Sequence, residues 1–235
     1  METWPGASKV YNSVPFDPRT DTPYLVERYY DKSSPPDWAD HFRQGGFLRD
    51  GILKRANGQG IPLAALPPFL RALLVTDGTV TKILEAYFWE PVEVRTLEQD
   101  FWTTEQPVEW LQVRAGERVL IRLALLAGTD SGRTYAEAFS VIRADLIPPA
   151  FRQRLIDREI GIGVLIRDSG LESYREVLEI GIDQPDQGEE HVYRTYRIFI
   201  AGTPVILITE SFPLGLYARD LPSHQGSSTP GAVSP

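Results

Sequence analysis

The sequence predicts an α+β fold: an antiparallel β-sheet with helices packed on one side. Three observations carry this. Apolar stretches of strand length follow one another through the second half of the chain. Tight-turn residues join most of them, and only a few helical segments intervene. No repeat period is visible, which excludes a solenoid.

The elements follow in order. Residues 1–62 are rich in proline, glycine and polar residues, with turn phrases such as Ser34-Pro35-Pro36-Asp37 and Asn57-Gly58-Gln59-Gly60. Aromatics are interleaved there (Trp4, Tyr11, Phe16, Tyr24, Tyr29, Tyr30, Trp38, Phe42, Phe47), so the segment reads as an arm lying on a core. Pro67-Pro68 opens a helix through Leu74, and Asp77-Gly78 breaks it. Thr79 is placed to cap a second helix, with Lys82 at N3 and Ile83, Leu84 and Tyr87 as its apolar positions.

Strands are expected from Val92 towards Trp102, from Arg118 to Ala127 and from Thr134 to Ile142. The turn Gly128-Thr129-Asp130-Ser131-Gly132 makes the last two a hairpin. Pro148-Pro149 opens a helix from Ala150 to Arg158. A short helix follows Gly161-Ile162-Gly163 and ends near Gly170. Three more strands are expected: Ser173 to Ile182, His191 to Ile200 and Val205 to Phe212. Residues 218–235 are Ser/Gly/Pro-rich and read as a disordered tail.

Composition narrows the function. The 235 residues are 42% apolar, enough for one domain with a core plus extensions. A net charge of -8 argues against a nucleic-acid or membrane-surface protein. Zero cysteines exclude disulfides, thiol nucleophiles and cysteine-ligated metals. His41, His191 and His224 show no metal-ligand spacing, so no metal site is expected. No apolar run is long enough to span a bilayer. Met1 to Pro5 shows no signal-peptide pattern, so a cytoplasmic protein is expected.

Three features look out of place. Arg122 sits inside Arg-Val-Leu-Ile-Arg-Leu-Ala-Leu-Leu-Ala (118–127), on the face shared by Leu120, Ala124 and Leu126. A buried guanidinium needs a partner. It is either a structural ion pair, a snorkelling edge residue, or an anion anchor whose planar fork matches a carboxylate. Glu210 ends the apolar run Val205-Ile206-Leu207-Ile208. It either pairs with Arg122 or Arg197, or acts as a hydrogen-bonding or acid/base carboxylate in an apolar pocket. The start of the helix after Asp77-Gly78-Thr79 offers free N–H groups to an anion, unless it is merely capped. Two weaker patterns are set aside. Gly161-x-Gly163 lacks the rest of a dinucleotide fingerprint. Tyr193-Arg194-Thr195-Tyr196-Arg197 reads as a strand with one solvated face.

Taken as an ordered set, these phrases resemble chorismate pyruvate-lyases and, more distantly, the ligand-sensing domains of some transcription regulators. The matching segments are Thr76 to Glu85, Val119-Leu120-Ile121-Arg122, Leu155 to Leu165 around Gly161-Ile162-Gly163, and Gly202 to Glu210. The resemblance spans Leu63 to Tyr217 (63–217 as a domain). It implies a buried ligand cavity beside the sheet and conversion of chorismate to 4-hydroxybenzoate and pyruvate without metal or organic cofactor. The product would feed quinone biosynthesis, ubiquinone or plastoquinone. Arg122 would bind the ring carboxylate, and Glu210 would face the ring hydroxyl. Val80 and Ile162 would contribute mainly backbone contacts. The long arm, and a Pro204-to-Glu210 spacing one residue longer, depart from the shorter bacterial members. Two other outcomes belong to related chemistry: a 3-hydroxybenzoate-forming chorismatase-type activity, and a non-catalytic sensor domain. The resemblance leaves the oligomeric state open, with a monomer favoured.

Overall fold

The computed structural model describes residues 21–30, 51–55, 57–157, 161–170, 172–184 and 188–218. Trp4, Tyr11, Phe16, Trp38, Phe42 and Phe47 of the arm, Arg158 and the tail from residue 219 on lie outside the described residues.

The described chain begins with α1 (Asp21–Tyr30) and a small hairpin, β1 (Ile52–Lys54) and β2 (Gly60–Pro62). Helices α2 (Pro68–Val75) and α3 (Val80–Phe88) follow, then β3 (Val92–Thr103), β4 (Arg118–Gly128) and β5 (Thr134–Ile142). Helices α4 (Pro149–Ile156) and α5 (Ile162–Ser169) lead to β6 (Ser173–Asp183), β7 (His191–Ile200) and β8 (Thr203–Pro213). A last helix, α6, covers Leu214–Ala218. The long strands form one six-stranded sheet in the order β3-β4-β5-β8-β7-β6, and every neighbouring pair is antiparallel.

Local chemistry explains the boundaries. Pro68 and Pro149 each occupy a first helical position, where the missing N–H costs nothing and φ is already helical. Ala201 (φ 49°) and Gly202 (φ 75°) form a two-residue turn with both φ values positive. That turn matches the twist of a hairpin and joins β7 to β8 without splaying them. The α4 helix ends at Ile156, two residues short of the expected Arg158.

Alternation along the strands sorts side chains onto two faces. Leu120, Leu126, Ile142, Ile198, Ile206 and Ile208 point to the face covered by α2 to α6. Leu70, Leu73, Leu74 and Leu84 of α2 and α3 seal it, each no more than 1% exposed. Each such burial contributes about 2 kcal/mol relative to exposure. Leu53 brings the β1–β2 hairpin into the same cluster, and Arg55 Nη2 donates to Glu190 Oε2 at 2.8 Å to hold it there.

The opposite face, carrying Ile121, Leu123, Phe139, Val141 and Leu207, receives α1. Tyr30 stacks on Phe139 at 5.8 Å and donates its hydroxyl to the Phe139 carbonyl at 3.2 Å. This part of the arm therefore packs on the sheet, on the side away from the other helices.

Two sequence expectations need correction. Arg122 is not a snorkelling edge residue: β4 lies between β3 and β5, and Arg122 is 2% exposed. Tyr193 to Arg197 has no solvated face. Tyr193, Arg194, Thr195 and Tyr196 are all buried, because β7 is flanked by β6 and β8, the helices cover one of its faces and α1 packs against the other.

Candidate functional site

Two cross-strand rows organise the cavity-side face. The first runs Gln99, Arg122, Ser140, Ile208, Tyr196, Val177. The second runs Thr96, Ala124, Ala138, Glu210, Arg194, Ile180. Small residues (Ala124, Ala138, Ser140) occupy the middle of both rows, where the next row on one side carries Leu120, Ile142 and Ile206. The missing side-chain volume leaves a cavity of about 610 Å³, including space open at its mouth.

All four residues singled out from the sequence line this one cavity: Val80, Arg122, Ile162 and Glu210. Arg122 rises from β4 and donates from Nη2 to Thr96 Oγ1 at 2.7 Å. A bulge between Thr96 and Glu98 makes this possible. The extra residue lets both Thr96 and Gln99 face the cavity side. Gln99 then donates to the carbonyls of Leu155 and Ile156, at 3.1 and 2.9 Å. It thus fastens the end of α4, just ahead of the segment that opens α5.

Glu210 pairs with neither Arg122 nor Arg197. Its Oε2 accepts from Arg194 Nε at 2.9 Å, and Arg194 Nη2 lies 2.8 Å from the same oxygen. Its Oε1 accepts from the Tyr196 hydroxyl at 3.2 Å. Cross-strand register explains the partner: Arg194 sits directly opposite Glu210. Arg197 faces the other way, bonding Glu176 at 2.7 Å and the Trp110 carbonyl at 2.9 Å. Burial, and then the Glu210 charge, push the Tyr196 phenol well above its ordinary range. Tyr196 therefore stays a neutral donor.

The two helix starts complete the walls. Thr79 holds the N-cap position of α3 with extended backbone (φ −79°, ψ 108°), but its side chain makes no capping bond. The expectation of a threonine cap fails there. The Thr79 carbonyl accepts from Lys82 and Ile83, so the leading N–H groups have no partner within the helix. At α5, Gly161 accepts from Val164 and Leu165, leaving the first N–H groups of that helix in the same condition. A β-carbon on Gly161 would lie 3.1 Å from Val94 Cγ2. The glycine lets the start of α5 approach β3. The two helix starts bring partial positive charge to one cavity.

Sequence reasoning missed Arg175, Arg194, Tyr196 and Ser140, which also line the site or hold its carboxylate. The arginines stand in strands already rich in polar residues, so no contrast with an apolar background marked them. Chemically, the arrangement offers a buried cation, a fixed carboxylate and oriented N–H groups around a floor of small, largely apolar residues. It suits a small organic anion that also carries a hydrogen-bond donor.

Among the described residues, no helix is long and apolar enough to cross a membrane. A family model described as "Chorismate pyruvate-lyase Rv2949c-like" matches residues 74–219. A chorismate pyruvate-lyase from Mycobacterium leprae is 31% identical over 166 residues, covering 66% of this chain and 79% of the relative. One from Mycobacterium tuberculosis is 29% identical over 170 residues, covering 66% and 84%. Among solved structures, the effector domain of PhnF from Mycobacterium smegmatis aligns with 58% of this chain and 88% of its own, at 14% identity and a TM-score of 0.46.

Proposed function

The chain belongs to the Rv2949c-like chorismate pyruvate-lyase family, and from that premise we propose that it converts chorismate to 4-hydroxybenzoate and pyruvate. One observation supports this best. Arg122, Glu210 and two helix starts line a single cavity over a floor of small residues.

Chorismate is a dianion whose ring already holds two double bonds. Breaking the C3–O ether bond and removing the C4 hydrogen completes the aromatic ring. The C4 hydroxyl is retained. Enolpyruvate departs with the bonding pair on its oxygen and gains a proton to become pyruvate, so the two products hold all the atoms of the substrate. Aromatisation drives the reaction. The protein's task is to hold one conformer and stabilise the leaving enolpyruvate.

Arg122 takes the ring carboxylate in this scheme. Its burial strengthens the contact, since little water competes. The Val80 and Ile162 ends of α3 and α5 contribute backbone N–H groups and dipole. Glu210 accepts from the C4 hydroxyl and fixes the ring's rotation. Arg194 and Tyr196 hold one oxygen each, which keeps the carboxylate's direction constant. An intramolecular transfer of the C4 hydrogen needs no base, so we assign Glu210 an orienting role. No metal or organic cofactor enters the scheme.

Purified protein incubated with chorismate tests this. Pyruvate is followed by coupled oxidation of NADH, and the aromatic product is identified by chromatography. Equimolar pyruvate and 4-hydroxybenzoate are expected. Absence of pyruvate, or 3-hydroxybenzoate formed by losing the C4 hydroxyl as water, overturns the proposal. We further propose that the product enters a quinone ring, ubiquinone or plastoquinone. Unchanged quinone content in a strain lacking this chain would exclude that fate.

A further inference from the structure

Arg175 is a second guanidinium on the cavity that the scheme above leaves unused. It projects from β6, at the far side of the sheet from Arg122, with β5, β8 and β7 between them. It is half-buried, whereas Arg122 is 2% exposed, so Arg175 stands nearer the mouth. Its Nη1 donates to the Asp77 carbonyl at 2.6 Å, in the loop that opens α3. Its Nη2 lies 3.9 Å from the place a β-carbon on Gly163 would occupy, in the first turn of α5. The guanidinium therefore sits between the two helix starts. Among the described residues it forms no ion pair. A fixed cation beside two positive helix ends is an unbalanced charge, and its complement is an anion.

We infer that Arg175 binds the second carboxylate of the substrate, the one on the enolpyruvyl group. The cavity then reads a dicarboxylate with two separate cations, Arg122 within and Arg175 near the mouth. This rests on the chorismate reading of the site. It adds a discrimination that reading lacks. The aromatic product keeps only the ring carboxylate, so Arg175 favours substrate over product. As the ether bond breaks, charge builds on the enol oxygen next to that carboxylate. Arg175 and the helix starts are placed to stabilise it.

The test compares the full-length wild type with Arg175→Gln and Arg175→Lys. Chorismate turnover is measured at steady state, and 4-hydroxybenzoate binding by calorimetry. Arg175→Gln should lower kcat/KM for chorismate roughly 10- to 100-fold, the loss expected for one charge-assisted contact. Its affinity for 4-hydroxybenzoate should be unchanged. Arg175→Lys should recover part of the turnover, since it keeps the charge. Equal losses for both ligands would mean that Arg175 only shapes the Asp77 loop, and would overturn the inference. Full turnover in Arg175→Gln would overturn it too. Wild-type protein that releases no pyruvate overturns the reading of the site instead. If that protein still binds chorismate, calorimetry of Arg175→Gln decides the inference by the lost preference for dicarboxylate over monocarboxylate.

Discussion

Arg194 and Glu210 stand opposite each other on β7 and β8, and their ion pair ties the cavity carboxylate to the loop before α3. Arg194 reaches that loop with its remaining nitrogen, Nη1, which donates to the Thr76 carbonyl at 2.5 Å. Thr76 Oγ1 in turn accepts from the Gly78 N–H at 3.0 Å. One fully buried guanidinium therefore fixes both the acid and a wall of the site.

Removing that guanidinium should be costly. Arg194→Met keeps much of the apolar stem but leaves a buried carboxylate without its cation. We expect a loss of about 3–5 kcal/mol in urea unfolding. A loss under about 1 kcal/mol, the range of surface pairs, would show that the pair does not hold the site.

Glu210→Gln separates orientation from proton transfer. The amide keeps an acceptor for the substrate hydroxyl but cannot accept a proton. Single-turnover rates with chorismate should fall by roughly tenfold or less if orientation is the role. A loss of about 100-fold or more would reinstate Glu210 as a general base.

Arg122→Ala should abolish the anion site. The ring carboxylate would then be buried without a partner, at a cost of roughly 2–5 kcal/mol in affinity. Calorimetry with 4-hydroxybenzoate reads this directly. Wild-type protein should also be inhibited by that product, because a buried site releases it slowly. Unchanged product binding in the variant would sink the assignment.

Acid stability should depend on His191, on the face away from the cavity. Burial holds its imidazole down at about 4, with Asp183 opposing the shift and Arg28 adding to it. Its Nδ1 lies 3.1 Å from Ser211 Oγ. The unfolded chain binds a proton near pH 6.5 that the folded chain refuses, so stability falls as pH drops below 6.5 towards 4. Between pH 7 and 4.5 the wild type should lose about 2–3 kcal/mol more than His191→Gln. Parallel pH profiles for the two proteins would contradict this.

The α1 contact should support stability without touching ligand. Tyr30 is buried against Phe139 on the face opposite the cavity. Tyr30→Ala should destabilise by about 3 kcal/mol through the void it leaves. Chorismate kcat/KM should be unchanged at temperatures where the variant stays folded. A selective loss of turnover would instead link α1 to the site.

Much of this is legible in the amino-acid sequence alone. Arg122 and Glu210 stood out because each interrupts an apolar strand, and an isolated charge there needs a reason. The strand and helix order followed from apolar runs and proline-opened helices. Arg194 did not stand out, because Tyr193-Arg194-Thr195-Tyr196-Arg197 reads as an amphipathic strand when its neighbours are unknown. Burial of that strand depends on α1, which is distant in sequence and packs on one face, and on the helices that cover the other. The same holds for Arg175 in Ser-Tyr-Arg-Glu: only register shows that it faces the cavity. Thr79 was placed correctly as a helix start, but whether its hydroxyl turns to cap is a rotamer choice that sequence does not encode.

The separation of Arg122 from Glu210 is fixed by the sheet itself. They occupy β4 and β8, with only β5 between, in adjacent rows two residues apart along the strands, so two interstrand steps and two residues of rise set their backbones about 12 Å apart. Hydrogen-bond spacing sets that distance, and no rotamer can stretch it far. The site is in effect a caliper with rigid jaws. If the site holds chorismate as proposed, changing which ring it accepts is a matter of rewriting Ala138 and Ser140 on the intervening strand, while both charges stay where they are. On that reading, ligand choice and ligand anchoring are encoded on different strands, and can be altered one at a time.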